Sequence, residues 1–168
     1  PLVLIVESQI DSVRKIQGIL EYAIKNNESL FIVGDVDPQV LAALAMNKMK
    51  GNIKVCIVDA PTYGFTKKEK LNDLALMTGS TVINEDLGDD MDLIDVSHLG
   101  RCKKVISGKY DTVIQIEETP EEVKEIIKDV KKKLQTEKVA GFVIAHEKRL
   151  ALLAAKVAIV KVGANSEI

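Results

Sequence analysis

Two acidic residues follow apolar, strand-like runs in this sequence and are the first candidates for chemistry. Glu7 follows the first such run, and Asp59 follows the third. Acidic side chains at the carboxyl ends of parallel strands hold Mg²⁺ and accept phosphate in receiver-type signalling domains. The pattern is incomplete, because Ser8 and Gln9 stand where a second magnesium-binding acid is needed, and no Lys-Pro pair follows a later strand. A phospho-acceptor role for Asp59 stays open as the alternative function.

The other reactive side chains form no recognisable catalytic or metal-binding pattern. His98 and His146 lie in different predicted elements, and neither has a partner at metal-binding spacing. The acidic run from Asp86 to Asp95 lacks the glycine and the alternation of a calcium-binding loop. The sequence has no glycine-rich phosphate loop and no serine in a nucleophile-elbow pattern. We therefore predict no catalytic residue, no metal site and no cofactor in this chain.

Composition indicates one domain of ordinary size. The chain has 168 residues, of which 46% are apolar and 29% are charged, so it can bury a hydrophobic core. The formal net charge of -2 leaves no basic excess for nucleic acid or an anionic membrane surface. No apolar run reaches the length of a membrane span. Cys56 and Cys102 lack disulfide or metal spacing, which indicates a reducing compartment.

Strand-like and helix-like segments alternate along the chain. Apolar runs and alternating patterns predict strands at 2–6, 30–33, 53–58, 81–83, 103–106, 112–116 and 157–162. Capping residues, prolines and glycines predict helices at 12–26, 38–50, 66–78 and 120–138, with a further helical stretch up to 155. This order predicts an α/β fold with a mainly parallel central sheet flanked by helices and an additional small antiparallel strand pair.

Two helices have strong boundary signals. Asp37 is a good N-cap residue before Pro38, and Gly51 follows as a C-terminal stop. Thr66 and Glu69 form a capping box that predicts the start of the third helix.

Apolar residues cover more of the first two predicted helices than packing on one side requires. In the helix at 38–50 they spread around nearly the whole circumference. In the helix at 12–26 they cover an arc of roughly 160°, against roughly 100° for a typical surface helix. Either both helices are buried on all sides, or they pack on the sheet and leave an apolar groove between them. Flexible Met46 and small Ala45 suit an adaptable groove.

A collinear series of segments resembles the apical domain of group I chaperonins, the domain that binds polypeptides. The segments are 2–9, 35–41, Met49-Lys50-Gly51-Asn52-Ile53-Lys54-Val55, Ala60-Pro61-Thr62-Tyr63-Gly64-Phe65, 71–75, 78–83 and 160–164. The family usually has Ala-Pro-Gly-Phe-Gly at the fourth of these. The resemblance implies the swivelling β/α/β fold of that domain. It also implies that residues 1–168 are one apical-domain fragment, without the ATP-binding equatorial domain and most of the intermediate domain.

The resemblance also implies a binding site. Chaperonin apical domains bind non-native polypeptides and the co-chaperonin lid through hydrophobic residues on two neighbouring helices, which here are those at 12–26 and 38–50. The implied site residues are Gln17, Leu20, Leu41, Ala45, Met46 and Asn47. Helical spacing adds Ile24, which falls on the face of Leu20.

Three departures indicate a divergent member of the family. Gln17 stands where the family normally has leucine, and Ala45 is smaller than the usual valine, so a shallower or more polar groove is expected. The family's third groove element, an aromatic-bearing extended segment, is expected to precede Pro1. The lysine-rich helix and the stretch from 142 to 155 match only loosely.

The same resemblance implies the cellular setting. The full-length subunit is implied to be an ATPase that uses ATP and Mg²⁺ at a site outside this chain, while the fragment itself is predicted to have no enzyme activity. The implied partners are unfolded polypeptides, the co-chaperonin lid and sister subunits in a ring, without nucleic acid or a membrane. The implied location is the cytoplasm, or the mitochondrial matrix or plastid stroma in a eukaryote.

Overall fold

The computed structural model describes residues 1–49, 51, 54–59, 64–90, 94–108 and 111–162. The strands are β1 (Leu2–Ile5), β2 (Leu30–Val33), β3 (Val55–Val58), β4 (Gly100–Arg101), β5 (Lys104–Ser107), β6 (Asp111–Gln115) and β7 (Val157–Val162). The α-helices are α1 (Gln17–Lys25), α2 (Pro38–Met49), α3 (Gly64–Thr78), α4 (Glu121–Thr136) and α5 (Ala140–Ala154). Parts of the predictions, at 50, 52–53, 60–63 and 163–164, lie outside the described residues. Within those residues, no helix has the length and apolar character needed to cross a membrane.

Three parallel strands form the centre of the main sheet. The strand order is β3-β2-β1-β4, with β1, β2 and β3 parallel and β4 antiparallel to β1. β1 and β2 are apolar and buried at every position, as expected of parallel strands that are covered on both faces. The predicted mainly parallel central sheet is therefore confirmed. The predicted strand at 81–83 contributes a single bridge, between Ile83 and Val6.

Helices α1 and α2 lie on the same face of this sheet. Because β1, β2 and β3 are consecutive neighbours, both crossovers step across the sheet in the same direction, and right-handed crossovers then place both helices on one face. One apolar cluster joins that face to the two helices, and we call it the shared core layer. It includes Leu4, Val6, Ile32 and Ile57 from the strands, Ile16, Ile19, Leu20 and Ala23 from the first crossover, and Val40 and Leu44 from α2.

Helix α3 covers the opposite face of the sheet, where its apolar side chains pack with Val3 and Phe31. The helix ends at the predicted Gly79, whose φ of 75° lies in the left-handed region that glycine adopts easily. The Ser80 N–H donates to the Ala75 carbonyl at 2.9 Å, which closes the helix with a Schellman-type bond.

The predicted capping box at Thr66 and Glu69 is wrong. Helix α3 begins at Gly64, so Thr66 already has helical backbone. An N-cap residue lies just outside the helix, and Thr66 therefore does not fill that role. The Thr-x-x-Glu spacing also occurs inside helices, where it marks no boundary.

A second, antiparallel sheet consists of β5, β6 and β7 in that order. The predicted strand pair β5–β6 is confirmed, with Val105 opposite Ile114. The strand predicted at 157–162 is β7, and its pairing with β6, across a register shift at Thr112 and Val113, was not predicted. Ile114 and Val160 of this sheet belong to the apolar cluster beneath α3.

Helices α4 and α5 form a hairpin that packs on α3. An apolar cluster around Val123 and Leu153 makes part of the contact. Arg149 adds an ion pair: its Nε and Nη2 each donate to a carboxylate oxygen of Asp73 at 2.8 Å. Its Nη1 lies 3.2 Å from Glu69 Oε1. The hydrogen bond to Asp73 is the main cause that raises the pKa of Arg149.

Arg149→Ala should destabilise the fold by about 1–3 kcal/mol, because the partly buried Asp73 carboxylate loses two charge-assisted hydrogen bonds. Urea unfolding followed by circular dichroism measures this change. Lys128→Ala is the matched control, since the Lys128–Glu125 pair is exposed and such pairs contribute about 0–1 kcal/mol. Equal effects of the two substitutions would show that the hairpin does not depend on Arg149.

Candidate functional site

Polar contacts fix the start of the first crossover helix. The predicted helix from Ser12 is divided in the structure, with a 3-10 turn at Val13–Ile16 that leads into α1. Lys15 Nζ lies 3.0 Å from Asp11 Oδ1 and 3.0 Å from Glu85 Oε2. Hydrogen bonds to Asp11 and then Glu85 raise the pKa of Lys15, which therefore stays charged. These contacts tie the turn to the segment that follows Ile83.

Helix α2 begins at the predicted residue. The Asp37 carbonyl accepts from the Leu41 N–H at 2.9 Å, and the Asp37 N–H donates to the Ile10 carbonyl at 2.9 Å. Pro38 takes the first helical position, where its missing N–H leaves no bond unmade. Gly51 follows the helix with a φ of 75°. The two Asp37 hydrogen bonds and the position of Pro38 thus fix the residue at which α2 starts.

Helix α2 is not buried on all sides. Val40 and Leu44 are buried in the shared core layer. Leu41 and Ala45 are half-buried, and Leu41 packs against that layer. Met46 is 60% exposed. An apolar face of α2 is therefore accessible to a partner, and of the two alternatives left open by its sequence, burial on every side is excluded.

Helix α1 is more deeply buried than predicted. Leu20 is 5% exposed and belongs to the shared core layer, whereas Ile24 is 48% exposed. Leu20, one of the implied site residues, therefore does not offer an exposed apolar side chain, because it lies one turn from Ala23 on the stripe that faces the sheet. Gln17 is exposed, and its Nε2 donates to Glu21 Oε1 at 3.1 Å.

Asn47, the polar residue of the predicted site on α2, makes its side-chain hydrogen bond within its own helix. Asn47 Nδ2 donates to the Ala43 carbonyl at 2.9 Å. Sequence reasoning missed Ala42, which is exposed and lies four residues before Met46. Residues four apart share a helix face, so this spacing is the signal that identifies Ala42 as a neighbour of Met46.

The structure brings part of the predicted site together. Leu20 and Leu41 both pack in or against the shared core layer. Among the described side chains of α1 and α2, Ile24 and Met46 are the exposed large apolar ones. We call Ile24, Leu41, Ala45 and Met46 the two-helix surface. Such a surface has no reactive group, and it can bury apolar side chains of a partner.

The acidic residues of the alternative function lie apart. Glu7 follows β1 and Asp59 follows β3, and β2 lies between these strands. Neighbouring strands are about 4.8 Å apart, so the two positions are separated by roughly two strand spacings. Among the described residues, no group of three His, Cys, Asp or Glu side chains could hold a metal ion. This arrangement does not favour a phospho-acceptor site.

Other reactive side chains have structural surroundings. His98 Nδ1 accepts from the Asp95 N–H at 3.1 Å and completes a capping box for the short helix at Val96–His98. Cys56 and Cys102 are both partly buried. Burial raises the pKa of the Cys102 thiol, which disfavours the reactive thiolate.

Comparisons with known proteins relate nearly the whole chain to chaperonins. Mitochondrial chaperonin CPN60-like 1 of Arabidopsis thaliana is 39% identical over 176 aligned positions, which cover 99% of this chain and 29% of that protein. Chaperonin GroEL of Carsonella ruddii is 39% identical over 170 aligned positions, which cover 99% of this chain and 32% of that protein. The chain thus spans about three-tenths of the length of these curated relatives. No protein-family model matches the chain.

A solved structure shares the fold. It is the chaperonin gp146 from the bacteriophage EL 2 (Pseudomonas aeruginosa) in the presence of ATP-BeFx, with a TM-score of 0.56 and 13% sequence identity. The match covers 98% of this chain and 34% of that chain. At this identity the likeness concerns the fold alone, and it confirms the predicted α/β class.

Leu20→Ala should destabilise the chain by about 2–5 kcal/mol, because it leaves a cavity in the shared core layer. Met46→Ala should change stability by no more than about 0.5 kcal/mol, since most of that side chain is already in solvent. Urea unfolding of both variants tests the assignment. A neutral Leu20→Ala, or a strongly destabilising Met46→Ala, would contradict the burial described above.

Proposed function

This chain fits a segment of a group I chaperonin, and we propose that it supplies the polypeptide-binding surface of such a chaperonin during assisted protein folding. The proposed binding residues are Gln17, Leu20, Ile24, Leu41, Ala45, Met46 and Asn47. One observation carries the proposal: Met46 is 60% exposed and Ile24 is 48% exposed on two helices that share one core layer. A non-native polypeptide has no hydrophobic core of its own, so it can bury its apolar side chains against Ile24 and Met46.

The proposed residues contribute in different ways. Ile24 and Met46 provide exposed contact area, and the half-buried Leu41 and Ala45 add a smaller accessible area on α2. Leu20 acts indirectly, because it packs in the shared core layer that holds the two helices. The polar members of the set, Gln17 and Asn47, offer no apolar area, and each makes a hydrogen bond within its own helix.

The energetics favour weak binding by a single surface. Burial of apolar area contributes about 25 cal/mol per Å², and much of this is offset by the entropy that a bound chain loses. A flexible methionine beside small alanines accommodates many side-chain shapes, which suits varied clients. Several such surfaces in one ring would hold a client by multivalency, without any tighter single site.

Ring assembly, nucleotide use and the lid belong to the proposal for the full-length protein. By analogy with the family, ATP and Mg²⁺ bind elsewhere in the subunit, and their turnover changes the affinity of the apical surface. Release of a client requires that two states of the ring differ in affinity. A co-chaperonin lid that occupies the same helices would displace the client. This fragment itself is proposed to be a binding module and not an enzyme.

The relatives also suggest a location. Those from Arabidopsis thaliana and Cucurbita maxima are named as mitochondrial chaperonins, and that from Carsonella ruddii is a bacterial GroEL. We place the protein in a bacterial-type cytoplasm or in an organelle matrix.

Ile24→Ser and Met46→Ser should each weaken the binding of a fluorescent, permanently unfolded polypeptide several-fold, because each removes apolar contact area. Fluorescence anisotropy titration of the chain measures the affinity, and circular dichroism verifies that each variant is folded.

The matched control is Ile106→Ser. Ile106 on β5 is 49% exposed, almost as much as Ile24 at 48%, but it lies on the second sheet. Its substitution should leave the affinity unchanged. Equal losses at Ile24 and Ile106 would indicate non-specific apolar binding, and a folded chain that binds no unfolded polypeptide would contradict the proposal.

A further inference from the structure

The free end of the α4–α5 hairpin, where α4 ends and α5 begins, has exposed apolar side chains. Val139 precedes α5, and Phe142 and Ile144 lie in its first two turns; they are 55%, 59% and 65% exposed. The hairpin is anchored to α3 farther along α5, where Arg149 binds Asp73. Because the three apolar side chains are mostly exposed, they contribute little to that anchoring.

The same end of the hairpin is basic. Between residues 131 and 144 the chain has one acidic residue, Glu137, and four lysines, which are Lys131, Lys132, Lys133 and Lys138. All four lysines are exposed, and none has an acidic partner among the described residues, whereas Lys124 and Lys128 each pair with a glutamate. Glu137 Oε1 accepts from the Val139 N–H at 3.1 Å, so one of its oxygens is used within the loop. This end of the hairpin therefore suits a partner with negative charge.

Both kinds of side chain surround the end of the hairpin. Successive helical residues are roughly 100° apart, so Phe142 and Ile144 lie on opposite faces of α5. For the same reason the lysines at 131–133 lie on three different sides of α4. A groove in a folded protein holds one face of a helix. A fluid lipid surface accommodates side chains all round an inserted end, so this distribution favours a membrane over a folded protein.

The dimensions fit a shallow insertion into a lipid surface. At a rise of about 1.5 Å per residue, Phe142 and Ile144 lie within about 6 Å of the first residue of α5. The lysines at 131–133 lie within about 8 Å of Thr136, the last residue of α4. Interfacial helices bury apolar side chains about 5–10 Å into the boundary between headgroups and acyl chains. Lysine side chains at this depth extend toward the lipid phosphates.

We propose that the free end of the α4–α5 hairpin docks on the surface of an anionic phospholipid membrane. Val139, Phe142 and Ile144 enter the headgroup region, and the lysines bind the anionic headgroups. This departs from the expectation, drawn from the net charge, that the chain has no membrane partner. The formal net charge of -2 conceals the basic surplus, because the acidic residues that balance these lysines lie elsewhere in the sequence.

The docking surface is separate from the two-helix surface. Helix α3 and the hairpin lie on one side of the main sheet, and α1 and α2 lie on the other. Membrane docking therefore uses none of the residues proposed to bind clients.

Co-sedimentation of the chain with vesicles tests the docking. Binding to vesicles of phosphatidylcholine and phosphatidylserine should be about tenfold or more tighter than binding to phosphatidylcholine alone, and raised salt should weaken it. One lysine near an anionic surface changes the partition coefficient about fivefold, so Lys132→Glu should lower it by at least that factor.

Lys25→Glu is the matched control, since Lys25 is exposed on α1 and its substitution changes the net charge equally. It should leave vesicle binding almost unchanged. Equal losses in the two variants would overturn the proposal, as would a folded chain that does not bind anionic vesicles.

Single tryptophans test whether the apolar side chains insert. The chain has no tryptophan, so Phe142→Trp and Ile144→Trp each report on one face of α5. Anionic vesicles should shift the emission of both variants to shorter wavelength. Ile106→Trp, at a residue that is 49% exposed on β5, is the control and should show no shift. A shift at only one face of α5, or an equal shift at Ile106, would contradict the proposal.

An acidic protein segment is the competing occupant, and polyglutamate is the probe for it. Titration of Phe142→Trp with polyglutamate should change the emission less than anionic vesicles do. A larger response to polyglutamate than to vesicles would assign this surface to an acidic protein segment and refute membrane docking.

Discussion

Packing in the shared core layer determines where both crossover helices lie and which of their side chains reach solvent. It joins three parallel strands to two consecutive crossover helices, and their common handedness places both helices on one face. Val40 and Leu44 anchor α2, while Ile19 and Leu20 anchor the first helix. Because each helix is held along one stripe, its remaining apolar side chains are left toward solvent. Ile24 and Met46 are exposed because other residues of the same helices fill the core. Substitution of these two exposed side chains should therefore change the free energy of unfolding little.

Much of the fold could be predicted from local signals. Continuous apolar runs identified the strands at Leu30–Val33 and Val157–Val162 with the bounds that the structure has. Proline and glycine signals located the start of α2 and the end of α3. What local signals could not supply was the pairing of distant segments. The sequence contains nothing that tells β7 to join β6, because strand pairing depends on the packing of the whole domain.

The two helices of the candidate site were predictable, but the burial of their side chains was not. Family resemblance indicated two helices, and both lie on one face of the sheet. Resemblance and spacing did not separate Leu20, which is buried, from Ile24, which is about half exposed. The two residues are one helical turn apart, and only the angle at which the helix meets the sheet decides which of them faces solvent. The way α1 packs on the sheet therefore makes Leu20 a core residue and leaves Ile24 available for a partner.

Methyl NMR of the chain with a permanently unfolded polypeptide tests whether α1 and α2 bind the polypeptide. Ile24 has a δ1 methyl group and Met46 an ε methyl group on the two-helix surface, while Ile106 and Ile144 provide equally exposed methyl groups elsewhere. The polypeptide should shift or broaden the Ile24 and Met46 signals and leave those of Ile106 and Ile144 unchanged. Perturbation of Ile106 or Ile144 without perturbation of Ile24 and Met46 would show that the two helices are not the binding surface.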